Sequence, residues 1–269
     1  MMFRQILAFL KKDFLIEKSY KLSFALGTVS VFSGILVFYF TDKLFGRAIT
    51  PYLAEYGTGY FAYVFTAAAF FGYIGTGAGS YAERLRAEQL QGTLEASSAA
   101  PVRPAVFLTA LTAWNFLFAT FELAIYALAG VFIFKLDFSN ANFPALTAVF
   151  LLSALSFAAL GVLSSSFVLL FKRGNPAAWA LNNFEGLLGG VYFPVAVLPV
   201  WLQWFSKFLP VTYSIRALEL ALHRGAGFSE LRHELLVLAL FALALVPSSV
   251  AAFAWALKKA RKDGTLGQY

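Results

Sequence analysis

Long apolar stretches constrain this chain more than any other feature. Five of them occupy 22–40, 59–79, 105–134, 145–171 and 235–257. A helix rises 1.5 Å per residue, so about 20 apolar residues cross the hydrocarbon core of a membrane. A further, irregular stretch, the fifth in chain order, begins at 177 and runs to about 191, so that 235–257 is the sixth. The pattern predicts an all-α membrane protein with six transmembrane helices.

The composition supports one membrane domain over 1–269. Hydrophobic residues make up 60% of the chain and charged residues 13%, whereas a soluble domain has about 25% charged residues. The chain has no cysteine, which excludes disulfides and thiolate metal sites. The net charge of +7 is explained by Lys and Arg on the cytoplasmic face rather than by nucleic-acid binding, because no basic face with interleaved aromatic residues occurs.

The distribution of Lys and Arg predicts the orientation. Fourteen of the 21 basic residues lie in four segments that six crossings place on one side, namely 1–21, 80–104, 172–176 and 258–269. The other seven lie in the segments on the opposite side. Since cytoplasmic segments carry an excess of Lys and Arg, both termini are predicted to be cytoplasmic.

The segment 1–21 mixes apolar and basic residues. Its apolar positions recur every three or four residues, and Arg4, Lys11, Lys12 and Lys18 lie between them. This spacing predicts a helix that lies in the membrane interface. The alternative is a basic flank that only fixes the orientation.

The segment 186–232, called here the broken segment, differs from an ordinary span. Pro194, Pro199 and Pro210 each remove a backbone donor and interrupt a helix interior. Broken backbone at membrane depth is tolerated only where protein covers it or where it lines a cavity. We therefore expect a re-entrant helical pair, or a span followed by short helices at the outer surface, rather than an unstructured loop.

Two carboxylates fall within apolar stretches. Glu122 lies inside the third span, and Glu185 follows Asn182 in the irregular fifth. Ionisable groups in a membrane are costly and face protein or a water-filled path. The alternatives are a translocation path and a structural hydrogen bond between helices. The residues predicted to form a path or gate are Glu185, Asn182, Tyr192, Phe193, Pro194 and Pro199.

The sequence offers no constellation typical of an enzyme. It has no P-loop, no GxSxG and no HExxH pattern, and no metal site is predicted. His223 and His233 are interpreted as polar residues of the outer loop region. The chain is therefore predicted not to be an enzyme.

The segment 80–104 is a polar island between two apolar stretches. It carries three acids and three bases: Glu83, Glu88, Glu95, Arg84, Arg86 and Arg103. A loop that only joins two spans needs none of these charges, whereas a surface recognised by another protein does. Ala82 and Leu85 are expected on the apolar side of a short helix that Gly92 ends.

The polar island resembles a segment of a known family. Glu83, then Gly92-Thr93-Leu94-Glu95, then Pro101 are similar to the segment after the second span in permease subunits of ATP-binding-cassette (ABC) exporters. This type-two family includes drug, polysaccharide and lipid exporters. The stretch 190–218 is similar to its proline-rich stretch before the last span. With six spans in the same order, the resemblance covers nearly the whole chain.

The resemblance implies a transmembrane subunit of an ATP-driven exporter in a prokaryotic cytoplasmic membrane. Two copies of a separate ATPase would hold ATP and Mg²⁺, with no cofactor on this chain. A second permease, identical or related, would complete a path for a polysaccharide, a lipid-linked or a drug-like substrate. The first cytoplasmic loop would hold a coupling helix, with the residues Glu83, Arg84, Gln89, Gly92, Thr93, Leu94, Glu95 and Pro101.

Two other classes of protein remain open. A stand-alone secondary transporter or channel would need buried acids near the midplane or inverted halves. The sequence shows no convincing internal repeat, and Glu122 and Glu185 are its candidates for such acids. A membrane scaffold without transport activity is the third possibility.

Overall fold

The computed structural model describes residues 10–11, 14–15, 21–90, 104–171 and 183–263. All regular structure in this part of the chain is helical, and no strand occurs in it. The main helices are α1 (Lys21–Ile49), α2 (Tyr60–Leu90), α3 (Pro104–Phe132), α4 (Phe143–Phe171), α5 (Val200–Ser206), α6 (Pro210–His223) and α7 (Arg232–Lys262).

Four of these helices are long and apolar enough to cross a membrane. The qualifying parts of α2, α3, α4 and α7 are Tyr60–Ala87, Thr112–Phe132, Phe143–Leu170 and Arg232–Ala260. The first predicted span, 22–40, lies within α1. Of the irregular span 177–191, the described part contains a helical stretch over 183–188, and 177–182 lie outside the described residues. The prediction of an all-α membrane protein is confirmed.

Contacts between aromatic side chains show the directions of the helices. Phe65 near the start of α2 contacts Tyr126 near the end of α3, with ring centroids 5.6 Å apart. Further along, Tyr81 of α2 contacts Phe116 of α3 at 6.4 Å. The two helices are therefore antiparallel. Residues 50–59 lie at one end of the bundle, called here the 50–59 end, and the link from α2 to α3 lies at the other, called the 90–104 end.

The helices α4 and α7 run in the same direction. Val162 and Leu169, in the second half of α4, belong to one buried cluster with Phe253 and Ala256 in the second half of α7. Both helices therefore begin at the 50–59 end. Because α4 ends at the 90–104 end, the chain must return to the 50–59 end before α7 begins.

Small residues allow α2 and α4 to pack closely. A Cβ added at Gly161 of α4 would collide with the backbone carbonyl of Gly77 in α2 and with the Tyr81 ring. A Cβ at Gly77 would lie 3.2 Å from the Ala158 amide nitrogen. Glycine at both positions lets the two backbones approach. Gly72, in contrast, has no neighbouring atom within 4 Å of such a Cβ.

Burial differs strongly between the helices. In the apolar 18-residue stretch of α2, 56% of the residues are buried, whereas only 17% are buried in the corresponding stretches of α3 and α7. The exposed side chains of α3 and α7 are mainly apolar, for example Phe121, Leu128, Leu240 and Leu243. α2 is thus the central helix, and α3 and α7 present apolar faces to the surroundings, as helices in lipid do.

Short helices occupy the broken segment, as the proline spacing predicts. Pro210 is the first residue of α6, a position where the missing N–H costs nothing. Ser153 of α4 donates a hydrogen bond to Ser214 of α6 at 2.8 Å, and the amide of Asn142 donates to the Ala221 carbonyl at 2.9 Å. α6 is therefore antiparallel to α4. Ser153 lies roughly 15 Å along α4 from its start, so the beginning of α6 reaches this depth in the bundle.

Candidate functional site

The described part of the polar island, 80–90, continues α2 without a break. Ala82 is 1% exposed and Leu85 is fully buried, and Leu85 belongs to the cluster with α4 and α7. The expectation that these two side chains line the apolar side of a separate short helix is wrong. No glycine or proline interrupts the helix between Ser80 and Leu90, so α2 extends and buries them in the bundle's own core.

The charged residues of the same stretch lie at the surface. Glu83 and Arg86 are exposed, and Arg84 is partly buried. Both Nε and Nη2 of Arg84 donate to Oδ1 of Asn115 in α3, at 3.0 and 2.6 Å. This pair of hydrogen bonds ties the end of α2 to the beginning of α3.

The remaining predicted coupling residues fall mostly outside the described residues. Gln89 lies in the last turn of α2. Those outside the described part are Gly92, Thr93, Leu94, Glu95 and Pro101.

Side chains form hydrogen bonds with the backbone of the broken segment around and after the helical stretch 183–188. Gly190 has φ of +89°, a conformation that favours glycine, and its carbonyl accepts a hydrogen bond from the Tyr63 hydroxyl at 2.5 Å. The Leu188 carbonyl accepts one from Ser206 at 2.7 Å. Thr212 in turn donates to the Ser206 carbonyl at 2.7 Å. These contacts supply partners that a broken helix would otherwise lack.

The predicted path residues Tyr192, Phe193, Pro194 and Pro199 differ in exposure. Tyr192 is 39% exposed and its ring lies 6.1 Å from that of Phe38 in α1. Phe193 is partly buried, Pro194 is buried, and Pro199 is exposed immediately before α5. Of these four, only Pro194 lines the cavity described below.

Glu185 is 1% exposed, on the helical stretch 183–188. Neither of its carboxylate oxygens has a hydrogen-bond partner among the described residues. Asn182 lies outside them. A buried carboxyl group without partners loses solvation and gains nothing in exchange, which makes it an unusual feature for a purely structural residue.

A buried acid on α6 was missed by the sequence reasoning. Glu219 is fully buried and accepts a hydrogen bond from the Thr66 hydroxyl of α2 at 2.7 Å. Its other oxygen lies 3.2 Å from Nε2 of His223, one turn later in α6. The interpretation of His223 as a loop residue is wrong, because this residue ends α6 and its side chain is only 5% exposed.

The sequence does contain a signal for Glu219. It shares the apolar face of α6 with Ile215, four residues earlier, and Leu222, three residues later. An acid on such a face needs a partner, and His223 stands at the i+4 position that meets it. Only the fold brings in Thr66.

A second charged cluster joins three elements at the 50–59 end. Nη2 of Arg216 in α6 lies 2.5 Å from Oε1 of Glu55, and its Nε lies 3.2 Å from Oε1 of Glu234 in α7. Arg224 donates to the Glu55 carbonyl at 3.0 Å. Burial raises the pKa of the neighbouring Tyr56 phenol, and the charge of Glu55 raises it further, so Tyr56 stays protonated.

These elements enclose a cavity of about 510 Å³. Residues from the 50–59 turn, the broken segment and the start of α7 line it, including Tyr56, Tyr63, Gln203, Arg216 and Glu234. The volume lies in the range of small-molecule sites. The charges around the cavity are largely paired with one another.

The comparison with protein families agrees with this architecture. The family model described as ABC-2 type transporter matches residues 4–222. The match spans α1 to α6, including the polar island and most of the broken segment. No curated protein matches the chain. The chain belongs to the ABC-2 type transporter family, whose members are membrane components of ABC transporters and not their ATPases.

Proposed function

We propose that this chain is the transmembrane subunit of an ATP-driven exporter in a prokaryotic cytoplasmic membrane. Two separate ATPase subunits would bind ATP and Mg²⁺ and drive it. A second permease chain would complete the path for a polysaccharide, a lipid-linked or a drug-like substrate. The family match supports an ABC transporter, and the continuity of α2 supports the mechanism.

The helix directions support six crossings. α1 to α4 alternate in direction, and the chain must return between Phe171 and Arg232 because α7 again starts at the 50–59 end. The excess of Lys and Arg on the side of the 90–104 end supports a cytoplasmic location for this end and for both termini. The short helices α5 and α6 then form a re-entrant element on the opposite side.

The polar island is the proposed docking surface for the ATPase. Glu83 and Arg86, in the described part of the island, are exposed near the 90–104 end. Because Arg84 is hydrogen-bonded to Asn115, a force on the island acts on α2 and α3 together. Gln89, Gly92, Thr93, Leu94, Glu95 and Pro101 would complete the docking surface.

α2 would carry this force to the other end of the protein. Its 31 residues form one continuous helix of roughly 46 Å. Near its start, Thr66 holds Glu219 of α6, and Tyr63 holds Gly190 of the broken segment. Thus one rigid helix contacts the proposed ATPase surface at one end and the re-entrant element at the other. This is the observation that carries the proposal.

The re-entrant element would act as the gate of the path. Pro194 lines the cavity at the 50–59 end, and α6, which follows it in the chain, is anchored to α2 through Glu219 and to α7 through Arg216. Asn182, Glu185, Tyr192, Phe193 and Pro199 are proposed to face the path or gate in the complete transporter. A shift of α2 would then move α6 and open or close this region.

The test of coupling uses charge reversal in the polar island. The variant Glu83→Arg with Glu95→Arg is co-expressed with the partner ATPase and reconstituted into liposomes. We expect normal membrane insertion, but loss of co-purification with the ATPase or loss of transport-linked ATP hydrolysis. Asp263→Lys is the matched control, because Asp263 is an exposed acid at the same end of the bundle. Normal coupling in the double variant would refute the docking role.

Glu185 gives some support to the alternative of a stand-alone secondary transporter or channel. A buried carboxyl group without described partners is a feature of proton and cation pathways. The two functions separate in liposomes that contain the chain without ATPase. Substrate movement driven by an ion gradient in these liposomes would favour the alternative, and strict dependence on ATP and the ATPase would favour the exporter.

A further inference from the structure

A second cavity lies between α2 and α3, away from the broken segment. Its volume is about 330 Å³, and it is partly open. Its lining comes from one face of each helix, including Ser80 and Glu83 of α2 and Trp114, Phe118 and Glu122 of α3. It reaches from the middle of α3 towards the 90–104 end.

One polar group of the cavity has no partner among the described residues. Ser80 is 3% exposed, and its hydroxyl has no hydrogen-bond partner among the described residues. Other buried hydroxyls of the bundle, such as those of Ser165 and Ser166, bond to carbonyls of their own helix. A buried hydroxyl that forgoes this bond is costly unless a ligand or water completes it.

The charge around the cavity is negative. Glu83 and Glu122 both line it, and neither forms an ion pair with another described residue. Arg84 does not line the cavity, but its guanidinium donates to Oδ1 of Asn115, which does, so one positive charge lies beside the two carboxylates. Two carboxylates therefore face the cavity without a lining base.

Aromatic rings add a second attraction for cations. Trp114 and Phe118 line the cavity beside Glu122, and the outer side of Trp114 contacts Phe14 with ring centroids 5.8 Å apart. Ring faces attract ammonium groups, and indole does so most strongly. The combination of two carboxylates, a free hydroxyl and aromatic rings matches a ligand with a cationic head and an apolar body.

We propose that the cavity between α2 and α3 is a binding site for amphiphilic organic cations. Glu83 and Glu122 would balance the ligand charge, Ser80 would accept or donate a hydrogen bond, and Trp114 would cover the apolar part. Because the cavity is partly open, such a molecule can enter it. The inference concerns binding alone and holds whether or not the ligand is then transported.

The test measures direct binding to the purified full chain in nanodiscs, without ATPase. The probe is benzyltrimethylammonium, and its neutral isostere neopentylbenzene is the control ligand. We expect saturable binding of the cation, detected by calorimetry, and at least about fivefold weaker binding of the neutral isostere, which corresponds to roughly 1 kcal/mol. Equal binding of the two compounds, or no saturable binding of the cation, would overturn the proposal.

Two variants locate the site. Gly79→Leu would fill the cavity, since Gly79 lines it and, among the described residues, the nearest side-chain atom to a Cβ there is Oε1 of Glu83, at 3.9 Å. Gly72→Leu is the matched control on the same helix, two turns earlier and in open space. We expect Gly79→Leu to weaken cation binding more than about tenfold and Gly72→Leu to leave it unchanged. Equal effects of the two would contradict this location.

Glu122→Gln keeps the test decisive if Gly79→Leu does not fold. It preserves the shape of the side chain and removes one charge, so we expect about fivefold weaker binding of the cation and unchanged binding of the neutral isostere. Unchanged cation binding in this variant would show that Glu122 does not contribute to the site.

Discussion

The contact between α2 and α6 is the link on which the proposed mechanism depends, and Thr66→Val tests it. Valine keeps the shape of threonine but removes the hydroxyl that donates to Glu219 at 2.7 Å. The Thr66 hydroxyl also contacts the Ala62 carbonyl of its own helix at 2.8 Å. Glu219 is fully buried, so losing its donor leaves an oxygen without solvent to replace it.

The size of the destabilisation expected for Thr66→Val follows from the burial of Glu219. Leaving a buried donor or acceptor without its partner costs about 1–3 kcal/mol. At about 2–4 °C per kcal/mol, a loss near 2 kcal/mol lowers the midpoint of thermal unfolding by roughly 4–8 °C. Thr147→Val is the matched control, because the exposed Thr147 bonds only to the Phe143 carbonyl of its own helix, also at 2.8 Å.

The assay is thermal unfolding of the purified chain in one detergent, followed by tryptophan fluorescence. A double-mutant cycle with Glu219→Gln isolates the pair. We expect a coupling energy above about 0.5 kcal/mol, as found for residues in direct contact. The reasoning is refuted if Thr66→Val is no more destabilising than Thr147→Val, or if the effects of Thr66→Val and Glu219→Gln are simply additive.

Three further perturbations test other parts of the structure. Gly161→Val should cost about 1–3 kcal/mol through overpacking against Gly77 and reduce the monodisperse fraction in size-exclusion chromatography, whereas Gly72→Val should not. Arg216→Gln should lower the unfolding midpoint by about 2–4 °C at low salt, and the difference should shrink between about 0.05 and 1 M NaCl, because the Arg216–Glu55 pair is half exposed. Glu185→Met should keep or raise the unfolding midpoint, since it removes a buried carboxyl group without described partners, and a decrease of several degrees would reveal a partner.

The sequence was sufficient for properties that depend on local composition. Apolar length predicted the spans in α1, α2, α3, α4 and α7, because a membrane helix satisfies its own backbone and needs only about 20 apolar residues. Proline positions predicted that 186–232 would break into short helices, since proline excludes itself from a helix interior. The absence of a P-loop and the motifs of the polar island pointed to the family that the family model then matched.

The sequence reasoning failed where side chains meet across helices. Ala82 and Leu85 have the spacing of an exposed amphipathic helix, but α2 continues through them and both are buried, Leu85 in a cluster with the second halves of α4 and α7. His223 is the last residue of α6, but the sequence reasoning placed it in the outer loop region. In the structure it is buried beside Glu219. Which face of a membrane helix meets protein cannot be read from hydropathy, because lipid-facing and core-facing residues are equally apolar.

What the sequence by itself determined is therefore the class of protein, the approximate spans and the position of the polar island between two of them. Tertiary structure alone decided which polar groups meet: Thr66 with Glu219 across 153 positions, Arg84 with Asn115, and Arg216 with Glu55 and Glu234. The physical reason is that hydrophobic length acts within one segment, whereas a hydrogen bond or an ion pair requires the relative rotation and depth of two helices. Close packing at Gly77 and Gly161 fixes that relation for α2 and α4.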